Sequence, residues 1–172
     1  MIIKLEWINK YIDLSDKTPD DIDLALNNLG LETEGYIKLC SGTNLISAQV
    51  IKKEKHPNAD RLSVCQVDIG TDIIQIICGA QNFKEGDYVI VALPGSILPG
   101  NFKIKTSKIR GEISQGMICS LNELGYPKYL LEKTTNNGIY VIDKNIKVGQ
   151  SEVLTILGLD DVIFKVNITP NR

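Results

Sequence analysis

Residues 94–125 read PGSILPGNFKIKTSKIRGEISQGMICSLNELG, and turn residues, cations and apolar positions succeed one another within them. Lys103, Lys105, Lys108 and Arg110 fall within eight positions, with no acidic residue between them. In an extended chain Phe102 and Ile104 share one face with Lys103 and Lys105 opposite, whereas Lys108 and Arg110 carry the parity of Phe102. The register must therefore reverse near Thr106 and Ser107. A bulge or turn there puts all four cations on one outer surface, with Ile104 and Ile109 pointing in. A charge run of this kind is either an ordinary solvated face or an anion contact, and the lack of acidic interruption favours the anion contact. The segment from Gly116 to Leu124 reads as a return toward the core.

Around this ribbon the chain is β-rich. Runs dominated by Val, Ile and Tyr predict strands over 45–53, 62–69, 73–78, 88–93, 102–109 and 138–142. Gly70-Thr71-Asp72 and Glu85-Gly86-Asp87 supply turns between them. Short strands at this spacing describe an antiparallel barrel or sandwich of about one hundred residues. Phe83, Tyr88 and Phe102 are expected in its core.

The flanks have a different character. Residues 1–39 hold 4 basic and 8 acidic side chains, residues 40–149 hold 13 and 10, and residues 150–172 hold 2 and 3, so a mildly basic middle sits between acidic ends. Leu5, Ile8 and Ile12 recur at helical steps. A second helix is better marked: Thr18 as cap, Pro19 at the first position, Asp20 and Asp21 at the positive end, an apolar face of Ile22, Ala25, Leu26 and Leu29, and Gly30 as the stop. Leu31 to Lys38 reads as a strand, and the small polar run 40–44 as a boundary. After Ser151 the pattern is helical through Val153, Leu154 and Leu157, stops at Gly158, and is extended through Val162, Phe164, Val166 and Ile168. The ending ITPNR, with no cap, is expected of a piece of a larger protein. The resulting division is 1–39 as the first part of a split α+β domain, 40–149 as the inserted β domain, and 150–172 as the second part.

Several function classes are excluded as expectations. No apolar run approaches the ~20 residues of a membrane span, and the N-terminus lacks a basic stretch and a cleavage site, so a soluble, cytoplasmic protein is expected. The four cysteines (Cys40, Cys65, Cys78, Cys119) form no C-x-x-C, and the one histidine, His56, has no cysteine near it in sequence. Neither zinc nor a disulfide framework is indicated, and no metal site is expected. With one histidine and no activated nucleophile, no catalytic residue is assigned.

Two further loops carry polar chemistry. In HPNADRL (56–62) Pro57 fixes the backbone, Asn58 and Asp60 can bond their own main chain, and His56 and Arg61 point outward. This is a hairpin connection that can also touch a phosphate or a base. In ICGAQNF (77–83) the small residues Gly79 and Ala80 permit close backbone approach, and Gln81 and Asn82 offer amides. The spacings of the phosphate-cradling glycine loops are absent from the chain.

Together HPNADRL, ICGAQN and LPGNFKIKTSKIRGEISQGMICSLNELG resemble the tRNA-binding OB domain shared by several synthetase-associated proteins. LEWINKYIDL, LNNLGLETEG and KVNITPNR resemble the flanks of that domain in the N-terminal region of the bacterial phenylalanyl-tRNA synthetase beta subunit, so the likeness covers essentially the whole chain. It implies a mainly β fold with flanking α/β segments, an OB-fold barrel inserted into a split α+β unit. It further implies a parent ligase, an α2β2 heterotetramer that attaches phenylalanine to its tRNA with ATP and magnesium. In that family the catalytic centre belongs to the alpha subunit and the editing site to the beta subunit beyond this region, so this chain binds no cofactor of its own.

The expected function is that of a non-catalytic tRNA-binding and structural region, whose partners are tRNA, the alpha subunit and the remainder of the beta subunit, with no membrane. Lys103, Lys105, Lys108 and Arg110 would contact phosphates, with Asn58, Arg61, Asn82, Ser114 and Gln115 as polar neighbours on the same rim. No exposed aromatic pair for base stacking is expected. An assembly module of the synthetase and a freestanding tRNA-binding OB protein are the alternatives.

Overall fold

The computed structural model describes residues 1–131 and 138–168, in two compact units. One comprises Met1–Leu39 with the segment from Gly158 on, the other Cys40–Leu157. Residues 150–157, grouped with the tail in the sequence reading, thus lie with the larger unit.

In the smaller unit β1 (Ile2–Lys4), α1 (Leu5–Ile8), α2 (Pro19–Asn28) and β2 (Thr33–Lys38) are joined by the last strand among the described residues, β13 (Val162–Val166). The antiparallel sheet has the order β1-β13-β2, pairing Ile3 with Phe164 and Phe164 with Tyr36. Phe164, Val162 and Val166 bury against Ile22 of α2, with Leu5, Leu14, Leu26 and Leu31 packed around them.

The ends of α2 are set locally. Thr18 Oγ1 accepts from the Asp21 amide at 3.2 Å while the Asp21 carboxylate accepts from the Thr18 amide at 3.0 Å, a capping box. The Thr18 hydroxyl, donating to Asp21 Oδ2 at 2.7 Å, and the Thr18 amide together hold the Asp21 carboxyl below the usual range. At the other end Gly30 (φ 75°) and Leu31 return their amides to Asn27 and Leu26, a Schellman closure.

The first helix is shorter than its periodicity predicts. It has no side-chain cap and no buried residue, and Tyr11 and Ile12 stand exposed beyond its end. A single uncapped turn whose apolar side chains, Leu5 and Ile8, are only half-buried does not propagate. The apolar face of α2 is likewise only half covered: Ile22 is buried, Leu26 partly so, and Ala25 and Leu29 are exposed.

The larger unit is a barrel. Its strands are β3 (Leu45–Lys55), β4 (Ser63–Asp68), β5 (Ile73–Cys78), β6 (Tyr88–Ala92), β7 (Ile97–Leu98), β8 (Phe102–Lys103), β9 (Ser107–Ile109), β10 (Glu112–Ser114), β11 (Met117–Ile118) and β12 (Val141–Ile142), followed by the helix α3 (Val153–Ile156). The main path is β11-β6-β3-β4-β5, with β12 also on β6. Period-2 burial sends Ala48 and Val50, Cys65 and Val67, Ile76 and Cys78, and Val89 and Val91 into one core with Phe83 and Ile118. Val64, Gln66 and Asp68 alternate outward on β4.

The seam between β5 and the segment entering β11 is closed by residues 114–115. Gln115 N–H donates to Gln75 O at 2.8 Å, Gln75 N–H to Gln115 Oε1 at 3.2 Å, and Ile77 N–H to Ser114 Oγ at 3.0 Å. Gly116 next to the seam admits no side chain, since a Cβ there would lie 2.7 Å from Ala92 O. A three-strand meander whose fourth strand returns beside the first and whose fifth closes toward the third is the five-stranded Greek-key barrel of the OB fold.

The run 102–109 is interrupted between Lys103 and Ser107, next to the place where the parity of the cations required a bulge or turn. Ile104 turns inward there, with its amide on Ser96 O (2.9 Å) and its carbonyl on the Gly95 amide (2.8 Å). Phe102, expected in the core, is 55% exposed, because among the described residues its strand pairs with β7 alone, in a two-stranded ribbon. Phe83 is buried and Tyr88 half-buried.

Candidate nucleic-acid interface

The connection between β3 and β4 and the long connection between β6 and β11 meet at one corner of the barrel. The first is the loop 56–62. Its base is closed by His56 N–H on Leu62 O at 3.0 Å, and Leu62 N–H donates to Ala59 O at 3.2 Å. The second projects the hairpin β9–β10, where Ile109 pairs with Glu112, Lys108 with Ile113 and Ser107 with Ser114. This leaves a two-residue turn, Arg110-Gly111, with φ values of 52° and 103°. Positive φ at both central positions is the type I′ geometry that matches the right-handed twist of paired strands. Glycine suits it; arginine occupies it at a conformational cost.

Two side chains of the loop hold the hairpin. Asn58 Nδ2 donates to Arg110 O at 3.3 Å, and His56 Nε2 lies 3.2 Å from Ile109 O. His56, expected to point outward, is 2% exposed. Asn58, expected to bond its own main chain through its side chain, reaches across to the hairpin instead. Asp60 pairs with Lys55 at 2.7 Å on the open surface, a contact of small energetic weight.

Lys103, Lys105, Lys108 and Arg110 are all exposed, as are Asn58 and Arg61. Lys103, Lys105 and Thr106 line a cavity of about 370 Å³ with Pro94, Gly95, Ile97 and Ile104. The other three candidates serve the fold. Ser114 is buried, accepting from Ile77 N–H and donating to Gly116 O at 3.0 Å, so it does not stand on the rim. Gln115 is exposed, but its side-chain oxygen closes the barrel seam. Asn82 uses both ends of its amide on Ile139, donating to its carbonyl at 2.9 Å and accepting from its N–H at 3.1 Å. Its turn adjoins the 56–62 loop, since a Cβ on Gly79 would lie 3.5 Å from Leu62 Cδ2.

Sequence reasoning missed Phe102 as an exposed aromatic beside Lys103. The Pro99-Gly100-Asn101 turn, with Asn101 at φ 59°, was the available signal, because it joins a hairpin whose second strand has no further neighbour among the described residues. Burial pushes the Cys65 and Cys119 thiols up to about 12 and raises Cys78, which disfavours their thiolate forms at neutral pH. Among the described residues no group of three His, Cys, Asp or Glu side chains converges on a metal position, and no helix is long and apolar enough to cross a membrane.

Residues 45–151 match the family model described as a putative tRNA binding domain. Over 174 aligned residues the whole chain is 43% identical to the phenylalanine–tRNA ligase beta subunit of Bacillus subtilis, covering 22% of it. It is 44% identical to the beta subunit of Staphylococcus aureus, again over all of the chain and 22% of the relative. The corresponding figures for Halalkalibacterium halodurans are 41%, all of the chain and 21%. The chain thus spans about a fifth of the length of the curated relatives it matches.

Proposed function

The chain belongs to the putative tRNA binding domain family, and from that premise we propose that it is the RNA-contacting, non-catalytic N-terminal region of a phenylalanine–tRNA ligase beta subunit. Whole-chain homology to those subunits supports the parent assignment. The observation that carries the RNA contact is the corner where the 56–62 loop holds the Arg110-Gly111 turn. Asn58 and His56 of that loop contact a hairpin bearing Lys108 and Arg110, Arg61 is exposed on the same loop, and Lys103 and Lys105 lie upstream. In an OB barrel these two connections border the face that takes oligonucleotides. Exposed lysine and arginine without buried partners bind phosphate through counterion release, which gives affinity with little base preference.

In this reading the ligation of phenylalanine to tRNA, with its ATP and magnesium, belongs to the rest of a cytoplasmic α2β2 enzyme. The partners of this chain are tRNA, the alpha subunit and the remaining beta subunit. The test is anisotropy of a labelled tRNA transcript titrated with the chain at several salt concentrations. Four phosphate contacts predict a slope of log K on log salt of roughly −3. An absent or salt-independent response overturns the RNA contact.

A second reading, an assembly module, draws on the smaller unit. Trp7, Tyr11, Leu24 and Leu29 are exposed there, and Ile8, Ile12, Leu14, Ile22 and Leu29 line an open groove of about 560 Å³. Charge reversal at Lys105 and Lys108, set beside Leu24→Asp and Leu29→Asp in the smaller unit, separates the two. Loss of RNA binding with subunit assembly intact supports the RNA contact, and loss of assembly supports the module.

A further inference from the structure

His56 is the chain's one histidine, it is buried, and the chemistry of RNA contact has no direct use for it. Its ring stands between two backbone groups of opposite character. Asn58 N–H donates to Nδ1 at 3.0 Å, so Nδ1 is an unprotonated acceptor. Nε2 faces Ile109 O at 3.2 Å, and a carbonyl can only accept, so Nε2 carries the proton. The two contacts together select the neutral Nε2–H imidazole. One contact is local and folds the 56–62 loop; the other crosses 53 residues of sequence and sets the hairpin that carries Lys108 and Arg110.

We propose that His56 is a positioning residue for RNA contact: its Nε2–H, donated to Ile109 O, fixes the hairpin cations against Arg61 and Asn58. This rests on the RNA-contact reading above and adds to it which group holds the two connections in register. The physical reason is distance. Ile109 O is the last carbonyl before the Arg110-Gly111 turn, so a shift there swings the whole tip. Asn58 Nδ2 on Arg110 O is a second tether on the same turn, and the backbone bonds from His56 N–H to Leu62 O and from Leu62 N–H to Ala59 O keep its loop closed when the Nδ1 contact is removed. Phosphates along a strand are regularly spaced, and cations that drift independently engage fewer of them at once.

Two substitutions separate the two contacts. His56→Asn places an amide oxygen where Nδ1 was, so it can still accept from Asn58 N–H in a turn closed by its own side chain, but it does not reach Ile109 O. His56→Gln places an amide nitrogen near the position of Nε2, keeping the cross-loop donor and losing the local acceptor. The full chain is used in each case, with a labelled tRNA transcript as probe and urea unfolding to confirm that each variant folds. His56→Gln is expected to bind within about twofold of the unsubstituted chain. His56→Asn is expected to weaken binding about five- to tenfold and to flatten the salt slope by about 1, the loss of one phosphate contact.

Equal binding by the two variants, or Asn binding better than Gln, overturns the proposal and leaves His56 a local turn residue. A readout independent of RNA keeps the two readings apart. The amide resonances of Arg110 and Gly111 should move in His56→Asn and stay in His56→Gln, and the ring nitrogen shifts of the unsubstituted chain should report the Nε2–H tautomer. Unmoved amides in the folded variants overturn the positioning role, and an Nδ1–H ring in the unsubstituted chain overturns it even if neither variant folds well enough to titrate. If the unsubstituted chain fails to bind tRNA while the amides behave as expected, the RNA-contact reading falls and the latch stands.

Discussion

Two polar turns sit side by side at one end of β4 and β5, and they resemble each other in composition: 56–62 with Asn58, and 79–82 with Asn82. In each an asparagine amide bonds a backbone distant in sequence. Asn82 bonds both the N–H and the C=O of Ile139, so both ends of its amide are engaged in holding that segment. Asn58 bonds one carbonyl, that of Arg110, on a hairpin whose cations remain in solvent. The difference lies in what each amide holds. One clasps an apolar residue of the core, and the other steadies a charged tip. A polar loop residue is therefore informative about ligands only once the backbone it is bound to is known.

The largest effect should come from breaking the first clasp. A Cβ on Gly138 would lie 2.2 Å from Asn82 Oδ1, so Gly138→Ala must expel that amide and strand both backbone groups of Ile139. A loss of about 3 kcal/mol is expected from two hydrogen bonds and the steric shift, read as a lower urea midpoint with the RNA salt slope of the folded chain unchanged. An unmoved midpoint would show that the clasp is not structural.

Ser114→Ala tests the seam, on the same connection as the cations. It leaves Ile77 N–H without its partner and is expected to cost about 1–2 kcal/mol, again without changing the salt slope. Lys108→Glu, six residues earlier, should do the reverse: stability within about 0.5 kcal/mol, and a slope flatter by at least about 1. If both substitutions lower binding and stability alike, the separation of fold residues from contact residues along this connection fails.

A small change of opposite sign in stability is expected at the turn itself. Arg110 holds φ at 52°, a conformation glycine adopts without strain, so Arg110→Gly should raise stability by roughly 0.5–1 kcal/mol while weakening tRNA binding. A stabilised chain that binds as tightly as before would mean that the arginine is not placed there for an anion. Thermal unfolding and anisotropy on the same preparation decide it.

Much of the fold was legible because its signals are local. The capping box of Thr18 and Asp21, the glycine stop at Gly30, and the alternation Cys65, Val67 against Gln66, Asp68 are encoded within a few residues of where they act. The break in the ribbon near Thr106 was also legible, from the parity of the cations alone. The short strands were not: β7, β10 and β11 are two or three residues long, and no period can be read from so few. The overlong first helix and the misplaced Phe102 failed for a related reason, since apolar periodicity reports what could be buried and not whether anything covers it.

Of the candidate site, the sequence alone determined that four exposed cations would share one connection of a β barrel, because charge resists burial wherever the chain turns. Only the tertiary structure decided that His56 is inside, that Ser114 closes the seam, and that Asn58 meets Arg110. Each of those depends on which of two backbone segments, 37 to 53 residues apart, lies within 3.3 Å of a side chain. Such pairings are fixed by how the core strands stack, and the polar residues that end up satisfied by them carry no mark of it in their own neighbourhood.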